Sequence, residues 1–220
     1  MTCTGQDIER FMNAARVRLP GATDDAMQLE MFAMLDEFFK DTNAWMEDID
    51  ITVPGNDPAG TVYAVLPSSP SVVDKLMWVF SVSDSPNSLR GWGVGAGMPV
   101  PGELILATQP SSKVTYRVAV ALSVQDPTQK DGYVSFPAWV LAKYRNGLLD
   151  GLLGRMMSQP NKPFSNTQLS VYHMRQFSKT KGMAKTDMIR ANTFRMQAWA
   201  YPRFVGGSQR GSSRGYFPPQ

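Results

Sequence analysis

His173 is the only histidine in this 220-residue chain and Cys3 the only cysteine. A metal centre needs three or four ligands of the His, Cys or carboxylate types, and one histidine beside Tyr172 on a helical face cannot supply such a cluster. A structural or surface role is expected for it. A Ser/His/Asp nucleophile needs no sequence proximity among its members, but no Gly-x-Ser-x-Gly elbow points to one. Cys3 has no flanking base or helix dipole to lower its pKa and lies in a terminus expected to fray, so an unreactive thiol is expected. A single cysteine also excludes an internal disulfide.

Carboxylates are plentiful between Asp24 and Asp57. They lack the Asp/Asn/Gly spacing of a calcium loop and read as one solvated acidic surface. The run GWGVGAG, Gly91 to Gly97, has the composition of a phosphate-cradling loop, yet it leads into Met98-Pro99-Val100-Pro101 rather than a helix. It reads instead as part of a long loop from Ser83 to Gly102, in which Arg90, Trp92, Gly93, Gly95 and Gly97 would line a channel or meet a partner. No catalytic residue, cofactor or metal is expected.

The stretch with the clearest chemical logic closes the chain. Arg203, Arg210 and Arg214 are spaced by Gly and Ser, with Phe204, Tyr216 and Phe217 among them. Arginine and aromatic side chains dominate binding hot spots, and a segment that orders on contact can wrap a large surface. A docking arm is the expectation. The same residue types occur in nucleic-acid-binding segments, so a nucleic-acid-binding module acting through the basic C-terminal third is the competing reading.

Charge supports a division of the chain. The net charge is +3, but residues 1–60 carry −8, residues 61–135 carry 0 and residues 136–220 carry +11. Opposite faces of this kind pair within one fold, pair between copies, or meet DNA or an acidic protein. The N-terminus has acidic residues where a secretory signal needs a cationic start, and no apolar run approaches the roughly 20 residues that span a bilayer. A soluble chain with no membrane contact is expected.

The elements that would position these groups follow from periodicity. Asp24 to Asp41 reads as a helix, with Asp24 and Asp25 in its first turn and Met27, Met31, Leu35 and Phe38 on one face. A shorter helix over Gln6 to Arg16 precedes it. From Trp45 to Ser135 short β-branched runs alternate with Pro and Gly, and Val114, Tyr116, Val118 and Val120 predict a strand with one buried face. Ser135 is the expected N-cap of a helix reaching Ser158, with Leu141, Tyr144, Leu148, Leu152 and Met156 inward and Leu149 and Leu153 widening that face. Gly147, Gly151 and Gly154 within it suggest close packing on another backbone. A last helix, Thr167 to Trp199, is expected to turn Leu169, Tyr172, Phe177, Ala184, Met188, Ala191 and Ala198 inward. Arg175, Lys179, Lys181, Lys185, Arg190 and Arg195 would face out, and Gly182 would kink or divide it.

The fold class is therefore α+β: a helical bundle with an inserted small antiparallel β domain and an extended C-terminal arm. The divisions are 1–44 for the N-terminal helices, 45–135 for the β insertion, 136–199 for the long helices and 200–220 for the arm.

This order resembles the head-to-tail adaptor (connector) proteins of short-tailed bacteriophages. The segments LPGATDDAMQLEMFAMLDEFFKDTNAW and PAWVLAKYRNGLLDGLLGRMMSQPNKPFSN carry the likeness, together with the closing arm. The resemblance implies a virion protein, made in the host cytoplasm, that forms a homo-oligomeric ring of twelve copies beneath the portal protein. Its arm would reach the portal, its other side would receive the tail nozzle, and genomic DNA would pass through the centre. In that setting Glu30, Asp36 and Glu37 would meet Arg175, Lys179, Arg190 and Arg195 within or between ring neighbours, and pairing between subunits is the expectation adopted.

Overall fold

The computed structural model describes residues 2–3, 5–82, 94–125 and 134–193. The arm residues Arg203, Phe204, Arg210, Arg214, Tyr216 and Phe217 lie outside the described residues. So do Arg195, Ala198, Arg90, Trp92 and Gly93, and the expected last helical turns up to Trp199.

Four helices and two antiparallel three-stranded sheets make a mixed α+β fold. The helices are α1 (Gly5–Arg16), α2 (Asp24–Thr42), α3 (Ala138–Met157) and α4 (Thr167–Thr193). Thr23 caps α2, its hydroxyl accepting from the Ala26 amide, while Asp24 and Asp25 sit where the helix dipole favours negative charge. Asn43 ends α2 in the left-handed region, its amide donating to Phe39 O at 2.9 Å. The expected inward face of α2 is buried, and Met34 and Phe39 join it.

The strands between α2 and α3 are β1 (Met46–Val53), β2 (Val62–Ala64), β3 (Ser71–Ser81), β4 (Ala96–Val100), β5 (Glu103–Leu106) and β6 (Val114–Val124). One sheet has the order β1-β6-β3 and the other β2-β5-β4. Alternation suggested one buried face for β6, but Val118 to Val124 are buried on both faces. β6 is the central strand and α2 lies across it, so its small alternate residues, Ala119 and Ala121, are covered as well. Ser123, buried in the same run, donates to Asp36 at 2.6 Å.

The glycine-rich run is partly sheet. The long loop expected from Ser83 to Gly102 contains β4, in which Gly97 pairs with Ile105, and the Gly95 carbonyl accepts from the Ala107 amide at 2.8 Å. Side-chain pattern could not reveal this strand, because its pairing is carried by backbone groups of residues with little side chain. Pro101-Gly102 turns β4 into β5, and Gly102 takes the positive φ of 85° that the turn requires.

Two further expectations are corrected at the junction with α3. The N-cap is Pro137, two residues beyond the expected Ser135, and it makes no side-chain cap bond. Cys3 is pinned rather than frayed: its amide donates to Phe136 O at 2.8 Å and Thr2 bridges Pro137.

α3 is central, packing on α1, α2 and α4. Its glycines face α4, meeting side chains at each position and, at Gly154, the Met174 backbone nitrogen as well, 3.1 Å from where a Cβ would stand. A Cβ on Gly147 would fall 2.1 Å from Thr180 Oγ1, one on Gly151 would strike Phe177 and Met34, and one on Gly154 would strike Met174. Ser170 also donates to the Gly154 carbonyl at 2.7 Å. The buried stripe of α4 accordingly runs through Ser170, Met174, Phe177, Thr180, Ala184 and Met188, at the spacing of a helix seam. Leu169, Tyr172 and Ala191, expected inward, are exposed. α4 also runs unbroken through Gly182, where a Cβ would meet nothing within 4 Å.

The two kinds of helical glycine give opposite predictions. Gly151→Ala overpacks the α3–α4 contact and is expected to cost about 1–3 kcal/mol. Gly182→Ala removes chain entropy at an open position and is expected to add up to about 1 kcal/mol. Urea denaturation of the two variants checks this; equal effects of one sign would contradict the packing.

Candidate assembly interface

The described residues hold sixteen carboxylates against sixteen Lys and Arg side chains, so the folded body is neutral despite the polarity along the sequence. Much of that polarity is consumed where α2, α3 and α4 meet. Glu37 of α2 accepts from Arg155 of α3 and, at 2.5 Å, from Lys181 of α4. Lys181 also reaches Asp41 at 2.6 Å and lies 5.1 Å over the Phe177 ring. Glu30 accepts from Gln159 at 3.1 Å and lies 3.7 Å from Arg155. About three turns of α2, from Glu30 to Asp41, thus tie both long helices.

Burial alone would push the Glu37 carboxyl up, but hydrogen bonds from Lys181 and Arg155 outweigh it and hold the carboxyl below its ordinary value. Burial would likewise lower Lys181, whereas its bonds to Asp41 and Glu37 raise it. Lys181 was expected to face outward; its side chain is only 18% exposed because those carboxylates draw it into the seam.

Of the proposed interface charges, Glu30, Asp36 and Glu37 have partners within the chain, Asp36 binding Lys40 and Ser123. Arg175, Lys179 and Arg190 are exposed and have no salt-bridge partner among the described residues. Lys185 is exposed alongside them. Glu30, Asp36 and Glu37 were expected to pair between subunits; of the cations they meet within the chain, Arg155 was not among the expected charges and Lys181 was expected on the outer face of α4. Their signal was their spacing: each lies on the buried side of its helix, where an unpaired cation would be costly.

Large apolar side chains accompany the free cations. Leu169, Val171, Tyr172 and Met183 are exposed on α4, Tyr172 to 55%, giving the outer side of this helix a mixed basic and apolar character. Gly95 and Gly97, proposed for a nozzle or channel loop, lie at and within β4, on the β insertion rather than near α4.

His173 Nδ1 lies 2.8 Å from Asp150 Oδ1, and its ring meets the edge of Tyr172. Ser170, one turn earlier, gives its proton to Gly154 O. Cys3 is pushed up to about 11, by burial first and by Asp7 second, which makes a thiolate unfavourable at neutral pH. Among the described residues no group of three or more His, Cys, Asp or Glu could hold a metal, and no helix is long and apolar enough to cross a membrane. No protein-family model and no curated protein matches this chain.

Glu37 gives a pH prediction. Its pKa is lower folded than unfolded, so its stabilising contribution is complete above the ordinary value near 4.5 and is lost as pH falls through the folded value. Glu37→Gln is expected to cost about 1–3 kcal/mol at pH 7, because Arg155 and Lys181 keep their partly buried positions and lose the carboxylate they share, retaining only Glu30 and Asp41. Denaturation at successive pH values should show the difference from wild type narrowing below pH 4.5; a constant difference would contradict the assignment.

Proposed function

We propose that this chain is a structural subunit of a phage head-to-tail adaptor, forming a ring of twelve copies between the portal protein and the tail nozzle around the path of the genomic DNA. The observation that carries the reading is the distribution of charge after folding. Asp24, Glu30, Asp36, Glu37 and Asp41 of α2 are paired inside the subunit, whereas on α4, the helix that leads into the basic C-terminal residues, Arg175, Lys179, Lys185 and Arg190 have no salt-bridge partner among the described residues. A body that satisfies itself, with surplus cation and apolar surface toward one terminus, suits a part that docks on others.

The order of elements adds support. An acidic helix, a β insertion, two long helices and a closing segment occur here in the order on which the resemblance to phage adaptors rests. The arm residues Arg203, Phe204, Arg210, Arg214, Tyr216 and Phe217 would engage the portal, and the β insertion would face the nozzle or the channel. The unpaired cations of α4 would lie against ring neighbours or the portal. In this reading the protein is not an enzyme, and its virion location follows from its partners.

The same unpaired cations favour one alternative, a nucleic-acid-binding module. It predicts DNA affinity that falls steeply with salt and survives replacement of Phe204, Tyr216 and Phe217.

Mixing the purified chain, with and without residues 203–220, with a portal ring and imaging the products tests the proposal. The full chain is expected to decorate the portal and the truncated chain to leave it bare. Equal binding by the two forms would reject the docking arm, and binding to DNA but not to portal would favour the alternative.

A further inference from the structure

Tyr144 interrupts α3 with a non-helical backbone, φ −114° and ψ 17°, although neither proline nor glycine occupies the bend. The helix on its C-terminal side is fixed to α4 by the contacts of Gly147, Gly151 and Gly154 with Thr180, Phe177 and Met174. The short piece before it, Ala138 to Lys143, is held differently. Val140 and Leu141 bury their side chains, Trp139 stays 42% exposed, and the piece is joined to the N-terminal residues through Cys3 and Phe136.

Two observations mark this piece as able to move. Beneath it is an apolar void whose lining includes Ile8, Phe11 and Met31, with Phe136 and Leu141 from before the bend and Leu148 from after it. The void is small, about 10 Å³, and Phe136 still packs on Phe39, so only part of the underside of the piece lacks dispersion contacts. The polar hold is concentrated at one carboxylate: Asp187 of α4 accepts from Tyr144 Oη at 2.9 Å and from Lys143 Nζ at 2.8 Å.

We propose that Tyr144 is a hinge in α3, closed by a latch in which Asp187 grips Tyr144 and Lys143. When the latch releases, the segment from Val134 to Lys143 rocks over the void while the rest of α3 stays fixed on α4. Bonding to Lys143, and then to Tyr144, holds the Asp187 carboxyl below its ordinary range, in keeping with a charged latch at neutral pH. Asp187 lies six residues before the end of α4, so the latch couples the first turns of α3 to the helix that leads into the C-terminal residues. This inference rests on the fold and stands apart from the adaptor reading.

Hydrogen exchange on the full chain tests it. Asp187→Asn is expected to raise exchange of the amides between 138 and 146 roughly threefold to tenfold and leave those between 148 and 157 unchanged. Tyr144→Phe, which keeps the ring against Phe38 and removes only the hydroxyl, should raise the same amides by a smaller factor. Unchanged exchange before the bend in both variants, or an equal rise on its two sides, would overturn the hinge.

Discussion

Met174, Phe177 and Thr180 of α4 occupy space that only glycine leaves open on α3, at Gly154, Gly151 and Gly147. This close approach sets the distance between the two longest helices, and much else follows from it. It carries Ser170 within reach of the Gly154 carbonyl and brings Lys181 over Phe177 to the carboxylates of α2. α2 in turn supports the central strand of the larger sheet through its apolar face and through Asp36. A larger side chain at any of the three glycines would displace α4 and open the charge cluster together with the packing.

The cluster has a consequence for assembly. A chain whose first segment carries −8 and last segment +11 invites the thought that copies attract one another through those segments. Folding spends much of that attraction internally, because Glu30, Glu37 and Asp41 are taken by Arg155 and Lys181. Among the described residues the outer side of α4, basic and apolar, is a surface that remains for partners. Its interactions would be partly screened at physiological salt, so affinity would depend on the apolar residues as much as on the charges.

Helices were legible where composition and periodicity agreed. Thr23, Asp24, Asp25 and the Met27–Phe38 spacing locate α2 because cap, dipole and apolar face coincide there. β4 was hidden, since Gly97 contributes backbone pairing and no side-chain pattern. In α4, apolarity chose Leu169 and Tyr172 for the interior, but the real seam admits Ser170 and Thr180, which fit against the glycine face, and Lys181, which meets carboxylates. The acidic side of the charge cluster could be read from sequence. Its cationic partners were marked only by their place on the buried side of their helices; which carboxylate each meets, more than a hundred residues away, depends on a helix contact that only the fold defines.

Glu37 of α2 and Lys181 of α4 neutralise each other within one subunit. A double-mutant cycle with Glu37→Gln and Lys181→Met, followed by denaturation of the chain at concentrations where it is monomeric, tests this most directly. A favourable coupling of about 1–2 kcal/mol that does not change with protein concentration is expected. A coupling of zero in the monomer that emerges only on self-association would contradict it and assign the pair to the contact between copies.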